Sequence, residues 1–273
     1  MRHVVRGGSG RAGGAAPGEG RNGVSTSGRS APARPWIESY GASIPAELPE
    51  SAYRSLAHLV NETCRKHAGK TAFTCVVPNG MNGSLSFARV DEMSSAFAAF
   101  LRHHCGVRRG ARVAVQLPNW IEFIPAYFAI ERIGAIGVPV SIEFRAREVD
   151  YVLRTTGARG IITCAEYKKF DHQAMVHALR KDLPELAFVG VVRGQPTGDA
   201  VALDPVISAS GRPEGFAEVG TDPNAMMRMM FTSGTTGSPK GVTHNHNTSL
   251  WPARMLNMDM EVGEDDVMLL YLP

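Results

Sequence analysis

Residues 226–242 place the strongest constraint on how this chain can fold. Residues 226–231 are mostly apolar, which predicts a strand buried on both faces. The nine residues that follow, 232–240, consist only of Thr, Ser, Gly, Pro and Lys. Small residues let backbone N–H groups approach an anion, hydroxyls add donors, and Lys240 supplies a compact positive charge. The stretch therefore predicts a buried strand that leads into a phosphate-binding loop.

This loop departs from the Walker A pattern, Gly-x-x-x-x-Gly-Lys-Ser/Thr. Five residues after Gly234 stands Pro239, which has no backbone donor. Lys240 is followed by Gly241 instead of a Ser or Thr that could bind a metal. Both departures argue against a kinase-like P-loop NTPase.

From Arg112 onward the hydrophobic pattern alternates between strands and helices. The predicted strands are 112–117, 136–140, 160–164 and 186–192. The predicted helices are 119–132 with Asn119 as cap and Pro125 in the first turns, 146–153 with a stop at Gly157, and 172–181. Strands separated by single helices predict an α/β fold with mostly parallel sheets flanked by helices. The loop would then leave the carboxyl end of a strand, where open α/β sheets bind ligands.

Further elements are predicted on both sides of this core. Ser55 predicts the cap of a helix that runs to His67. His103 and His104 predict a charge complement at the end of another helix, with metal binding as the alternative. The remaining predictions are strands at 71–77 and 84–87, a helical stripe from 90 to 101, a surface connection over 193–224, a partly helical stretch over 247–257 and a last strand over 267–272.

The first 35 residues differ from the rest in composition. They carry six Arg and one Glu among Gly, Ser and Ala, so they are strongly basic, whereas the rest of the chain is close to neutral. Residues 1–35 are therefore predicted to be a disordered tail, with order over 36–273. A transit peptide and a start codon assigned too far upstream both remain open. The near-neutral remainder gives no reason to expect nucleic-acid binding.

The cysteines and the hydropathy of the sequence indicate the cellular compartment in which the protein is expected. The chain has four cysteines, none in a CxxC pair: Cys64, Cys75, Cys105 and Cys164. They predict free thiols in a reducing compartment, and no apolar signal segment opens the chain, so we expect a cytoplasmic location. The most apolar long window, 121–140, contains Glu122, Glu131 and Arg132, which argues against an integral membrane segment.

Residues 232–242 resemble the phosphate loop of the adenylate-forming ligases, the superfamily of acyl-CoA synthetases, firefly luciferase and the adenylation domains of peptide synthetases. They match every fixed position of the signature Thr-Ser-Gly-Thr-Thr-Gly-x-Pro-Lys-Gly-Val, which a plain Ser/Thr/Gly linker would rarely do. Residues 112–119 and 131–139 are similar to the family's early core. Residues 44–47 and 53–56 look like the beginning of fatty-acyl-CoA synthetases. The resemblance covers about residues 36–273 and implies the N-terminal portion of the family's large AMP-binding domain.

The resemblance implies a two-step reaction. A carboxylate attacks the α-phosphate of ATP to give an acyl-adenylate and pyrophosphate, and coenzyme A then displaces AMP to form a thioester. Mg²⁺ would bridge the phosphates, and a mobile glycine-rich loop suits closure over ATP. The residues implied to hold the β- and γ-phosphates are Thr232, Ser233, Gly234, Thr235, Thr236, Gly237 and Lys240.

The residues around the loop carry further predictions. His246 matches a histidine that the family often has, but a structural role capping the next helix is favoured over a catalytic one. Five apolar residues are predicted to be core and not ligand pocket: Met226, Met227, Met229, Met230 and Trp251.

The resemblance also implies elements that residues 1–273 do not contain, including the adenine-binding strand, the glutamate for magnesium and the small C-terminal domain. We therefore expect no catalytic residue here, no acyl-adenylate from this chain alone, and self-association through uncovered edges and helices. The acid is expected to be fatty or alicyclic. An aryl-acid or amino-acid adenylating domain and a non-catalytic nucleotide-binding remnant are the alternatives.

Overall fold

A computed structural model describes residues 53–76, 83–214, 219–220, 222–232 and 239–270. All of them fall within one unit, Glu50–Pro273. The tail predicted over 1–35 and the segment 36–52 lie outside the described residues, so both remain predictions.

The described residues form eleven strands and seven helices. The strands are β1 Thr71–Cys75, β2 Gly83–Ser86, β3 Arg112–Gln116, β4 Ile136–Pro139, β5 Gly160–Cys164, β6 Glu166–Tyr167, β7 Phe170–Asp171, β8 Phe188–Val192, β9 Val201–Ala202, β10 Met226–Thr232 and β11 Lys240–Asn245. The helices are α1 Leu56–Lys66, α2 Phe87–His103, α3 Phe123–Arg132, α4 Ala146–Thr156, α5 His172–Arg180, α6 Asp204–Ser208 and α7 His246–Asp259.

A seven-stranded sheet organises the described chain. Its strand order is β11-β10-β4-β3-β5-β8-β9. Every neighbouring pair from β10 to β9 is parallel, and only β11 runs antiparallel, as the partner of β10. The hairpins β1–β2 and β6–β7 form two small separate sheets. The predicted α/β class with a mostly parallel sheet is therefore confirmed.

Helices cover both faces of this sheet, because its central strands are apolar on both sides. In β3, Val113 and Val115 belong to a buried cluster with α2 and α3, whereas Ala114 belongs to a second cluster with α4 and α5. The same alternation separates Ile162 from Ile161 in β5. Successive strand residues point to opposite faces, so each strand contributes to two cores.

Local signals placed most of the helices correctly. Ser55 caps α1, with its Oγ accepting from the His58 N–H at 3.1 Å. Helix α4 stops at Gly157, whose φ of 55° is left-handed and suits glycine. Pro125 lies in the first turn of α3, as predicted, but Asn119 is not its cap. The helix begins later, at Phe123, because residues 118–123 form turns in which Trp120 donates to the Pro118 carbonyl.

The prediction that the strand before the loop is buried on both faces was wrong. In β10 Met227 is buried and 1% exposed, while Met226 and Met230 are 41% and 42% exposed. Met229 and Phe231 pack against the apolar cluster that contains α4. The strand lies next to the edge of the sheet, and helices cover its two faces unequally.

Two other assignments were also wrong. The stretch 193–224 is not only a surface connection, because it contains β9 and α6 and buries Leu203 and Ile207. Leu203 packs onto β8 where Gly190 leaves room, since a Cβ there would lie 2.5 Å from the Leu203 Cδ1. Residues 267–270 form no strand and are strongly exposed. Residues 271–273 lie outside the described part.

Much apolar surface is exposed on and after α7. The exposed apolar side chains there are Met255, Leu256, Met258, Met260, Val262, Val267, Met268, Leu269 and Leu270. Contiguous apolar surface of this kind favours association. The self-association expected from the sequence therefore remains a prediction with a physical basis.

The contact between β5 and β8 gives a first test of the fold. Gly160 pairs with Phe188, and a Cβ on Gly160 would overlap the Phe188 ring. We expect Gly160→Ala to lower the free energy of unfolding by about 1–3 kcal/mol, because the packed ring has to move. Gly69→Ala is the matched control, since an added Cβ there meets nothing within 4 Å. Urea unfolding measures both, and equal stability of the two variants would contradict this packing.

Candidate functional site

The predicted phosphate loop connects the two strands of a hairpin. Thr232 at the end of β10 pairs with Lys240 at the start of β11. The Thr232 hydroxyl lies 3.5 Å from the Lys240 carbonyl oxygen, to which it donates. Both residues are exposed and are paired across the two strands, so Thr232 and Lys240 lie opposite each other where the loop begins and ends. The sequence did not predict β11, which is what brings these two residues together.

The topology directs this loop to the expected edge of the sheet. Because β10 is parallel to β4, its carboxyl end lies at the same edge as those of β3, β4, β5 and β8. The prediction that the loop follows the carboxyl end of a strand is thus confirmed. Ser233, Gly234, Thr235, Thr236 and Gly237 lie outside the described residues, so their contact with phosphate remains a prediction.

His246 occupies a structural position. It is 2% exposed, and its Nδ1 accepts from the Leu56 N–H at 3.2 Å. This N–H is one of those that the first turn of a helix leaves without an intrahelical partner. His246 therefore caps α1, which precedes it in the chain, and Asn245 caps α7. The helix predicted to be capped was the wrong one.

The predicted core assignment of the apolar residues near the loop is confirmed only in part. Met227 and Trp251 are buried, and Met229 packs against an apolar cluster. Met226 and Met230 are exposed, contrary to the prediction. Both wrong assignments have the same cause, which is the expectation that both faces of β10 would be covered.

Sequence reasoning assigned no role to three cations that follow strands at the carboxyl edge. Arg145 follows β4 and stacks over Phe170 at 4.2 Å. Lys168, in the turn after β6, lies 2.9 Å from Glu143. Arg193 follows β8 and is described next. The sequence contained a signal for these three cations, since each of them follows a predicted strand or the short extension of one. Each of them lies within 4 Å of a carboxylate, so together they place charge-paired groups at the edge from which the loop leaves.

Arg193 is the most constrained of these cations. Its backbone has a left-handed φ of 53°. Its Nε donates to the Glu122 carboxylate at 2.8 Å, and its guanidinium lies 4.3 Å from the centre of the Trp120 ring. Its N–H donates to both carboxylate oxygens of Asp204, at 2.9 and 3.0 Å. These contacts join the loops after β3 and β8 and account for the strained backbone.

In the described part of the chain, no group of three or more His, Cys, Asp or Glu could hold a metal ion. None of the described helices is both long and apolar enough to cross a membrane. Cys64, Cys75, Cys105 and Cys164 form no disulfide.

Comparison with known proteins agrees with the loop and the fold. A family model described as AMP-binding enzyme matches residues 60–273. A long-chain-fatty-acid–CoA ligase of Escherichia coli O6:H1 is 26% identical over 241 residues, covering 81% of this chain and 42% of the relative. A salicyl-AMP ligase / salicyl-S-ArCP synthetase of Mycobacterium tuberculosis is 30% identical over 219 residues, covering 80% and 38%.

The fold is similar to that of solved adenylate-forming enzymes. The crystal structure of the anthranilate CoA ligase AuaEII in complex with anthranoyl-AMP matches with a TM-score of 0.67 at 24% identity. The match covers 78% of this chain and 38% of that one. At this identity the likeness shows the fold alone. The chain spans about two fifths of the length of the curated relatives it matches.

The burial of His246 predicts a pH dependence of stability. Burial lowers the pKa of His246, and Asp222 opposes this shift. The folded chain therefore holds the neutral ring, and the unfolded chain takes up the proton first as pH falls. The stability linked to His246 is present above the ordinary histidine pKa of about 6.5 and is lost as pH falls through the lowered folded value.

His246→Asn tests this linkage, because asparagine can accept the Leu56 N–H but does not titrate. We expect the wild type to lose up to about 1 kcal/mol more than His246→Asn between about pH 7.5 and pH 5. Urea unfolding at a series of pH values measures the difference. Parallel pH curves for the two proteins would contradict the assignment.

Proposed function

The chain belongs to the AMP-binding enzyme family, and on this premise we propose that it carries the triphosphate-binding element of a ligase that activates a carboxylic acid with ATP. The proposed end product is an acyl-CoA thioester, formed through an acyl-adenylate. The chain spans about two fifths of the relatives' length. The activity is therefore proposed for the whole protein, and the residues of this chain are proposed to supply the part that binds the phosphates of the nucleotide.

One observation carries the proposal. The family signature 232–242 begins at the last residue of β10 and continues into β11, and strand pairing brings Thr232 and Lys240 together. Thr232 lies at the carboxyl edge of a parallel sheet, where α/β folds bind ligands. A threonine and a lysine that are paired and exposed suit the terminal oxygens of a triphosphate.

The proposed chemistry makes a clear demand on these residues. In the first step a carboxylate oxygen forms a bond to the α-phosphorus of ATP, and the bond to the pyrophosphate oxygen breaks. In the second step the coenzyme A sulfur bonds to the acyl carbon, AMP leaves, and the thiol loses its proton. The first step needs the charge of the leaving pyrophosphate to be offset and its position held. We assign that task to Lys240 and Thr232 with Ser233, Gly234, Thr235, Thr236 and Gly237.

Magnesium enters the proposal as the partner of ATP. Mg²⁺ is usually held by phosphates and water with one or two carboxylates, so ATP brings most of its ligand set. The hydroxyl groups of the loop suit the oxygens of such a complex. When bound, the ion would neutralise phosphate charge, and the chain's own contribution is the Lys240 ammonium and the loop donors.

The acid substrate is proposed from the relatives. The long-chain-fatty-acid–CoA ligase supports a fatty acid, and a fatty or alicyclic acid is our first candidate. The salicyl-AMP ligase, at 30% identity, favours an aryl acid as the second candidate. That relative is also named as a synthetase of a salicyl-S-ArCP product, so a carrier-protein thiol is the alternative to coenzyme A. The four cysteines form no disulfide, which is typical of a reducing compartment and supports the expected cytoplasmic location.

Removing the Lys240 charge tests the nucleotide site. We expect Lys240→Ala to weaken MgATP binding by about tenfold or more, because one charge-assisted contact contributes roughly 1.5–3 kcal/mol. Isothermal titration with MgATP and with pyrophosphate measures the affinities. Lys181→Ala, which removes an exposed lysine just after α5, is the matched control and should bind as the wild type does. Unchanged affinity in Lys240→Ala would remove Lys240 from the site.

Carboxylate-dependent ATP–pyrophosphate exchange tests the reaction. The assay compares palmitate, octanoate, cyclohexanecarboxylate, salicylate and a mixture of amino acids, using the longest protein that the coding sequence specifies. We expect exchange with the fatty or alicyclic acids, because reversal of the first step returns labelled pyrophosphate to ATP. Exchange with salicylate alone would favour the second candidate. MgATP binding without exchange for any acid would favour a non-catalytic nucleotide-binding protein.

A further inference from the structure

The hairpin that carries the loop joins the parallel sheet through the pairing of β10 with β4. The parallel register of β10 with β4 consists of one pair, Arg228 with Gly137. By contrast, β4 pairs with β3 at four positions, and β5 pairs with β8 at five. Since β11 is the edge strand, the position of the whole hairpin depends on how β10 is held.

The two faces of β10 are held differently. Met229 and Phe231 pack on the apolar α4 side, where Phe231 also meets the Tyr151 ring edge-on at 6.2 Å. On the opposite face Met230 and Thr232 are exposed, and Arg228 alone of the three is partly buried. On that face, therefore, the side chain of Arg228 provides the contact between β10 and the helical layer.

Arg228 meets two buried polar side chains of α3. Glu131 is 1% exposed, and Tyr127 lies one helical turn before it. The Tyr127 ring lies against Gly137, the partner of Arg228, since a Cβ on Gly137 would stand 2.9 Å from the ring. Burial raises the pKa of Glu131 well above its ordinary value, and Arg228 opposes that shift. Burial also raises the pKa of Tyr127, again with Arg228 in opposition.

These three side chains are incompletely satisfied. Glu131 Oε1 and Arg228 Nε are buried without a hydrogen-bond partner among the described residues. The Tyr127 hydroxyl is buried too, and Arg228 opposes the shift of its pKa by charge and hydrogen bonding. A buried carboxyl, a buried hydroxyl and a guanidinium that lie this close have each other as the nearest compensating groups. Losing the guanidinium would leave the buried carboxyl of Glu131 and the hydroxyl of Tyr127 without their nearest polar partner, which is costly in a buried site.

We propose that Arg228 is a positioning residue, whose contact with Glu131 and Tyr127 sets the register of the β10–β11 hairpin against β4. In this way it holds Thr232 and Lys240 where the triphosphate binds, a role that rests on the proposed function. A slip of β10 by one residue would turn Arg228 into the apolar α4 cluster and place a methionine over Glu131. Buried polar contacts add little net stability, but they can specify a register in this way.

A double replacement separates register from stability. Arg228→Met strands the Glu131 carboxyl, whereas Arg228→Met with Glu131→Leu replaces the polar contact by an apolar one. We expect Arg228→Met to lower the urea midpoint and the double variant to recover most of the loss. The MgATP dissociation constant should rise about tenfold in Arg228→Met and stay raised in the double variant, because the hairpin is no longer held in one register. Recovery of affinity together with stability would overturn the inference.

Hydrogen exchange supplies a readout that needs no nucleotide. In the double variant the amides of β11 should exchange about tenfold faster than in the wild type, while those of β5 and β8 keep their rates. Unchanged exchange in β11 would overturn the inference. If the wild type binds no MgATP but this local change occurs, the proposed function fails and the register assignment stands.

Two further variants complete the design. Arg180→Met removes another partly buried arginine, which lies 2.6 Å from Asp199 and belongs to α5. We expect it to change neither the exchange of β11 nor the affinity for MgATP, and a change of the size seen in Arg228→Met would count against a specific role. Arg228→Lys keeps the positive charge opposite Glu131, so affinity should return to within about threefold of wild type. An MgATP affinity in Arg228→Lys that stays as weak as in Arg228→Met would contradict the inference.

Discussion

The candidate site depends on the parallel pairing of β10 with β4. That pairing turns the carboxyl end of β10 toward the same edge as the five other strands of the parallel core. Had β10 run the other way, the loop after Thr232 would have left the opposite edge, away from Arg145, Lys168 and Arg193. The direction of one strand thus decides at which edge of the sheet Thr232 and Lys240 lie.

The pairing is possible because the parallel core is rigid and β10 is not fully part of it. Val113, Val115, Ile161 and Ile162 are 0% exposed, and each strand contributes to an apolar cluster on either face. Burial of this kind fixes β3, β5 and β8 firmly. The hairpin of β10 and β11 has less apolar cover, so polar contacts carry more of its positioning. Such an arrangement combines a fixed frame with a loop-bearing element that can respond to a ligand.

The elements that the sequence predicted well are those whose signals are local. Ser55 caps α1, Gly157 ends α4, and the apolar runs of β3, β5 and β8 were recognised as strands. The errors occurred where burial depends on distant partners. Met226 and Met230 are as apolar as core residues, but they are exposed, and Arg228 between them is only partly buried. Leu203 and Ile207 lie in a polar stretch, yet they are buried because β8 offers room at Gly190.

The sequence by itself determined the composition of the loop, since hydroxyls, glycines and one lysine at set spacing are a local property that predicts phosphate binding and indicates the family. It also determined the fold class, because alternating apolar strands and helices leave few other arrangements. Only the tertiary structure decided that Lys240 opens an antiparallel strand beside Thr232, that His246 caps α1, and that Arg228 meets Glu131 and Tyr127. These contacts join residues far apart in the chain, and their energies depend on burial and register, which no local pattern encodes.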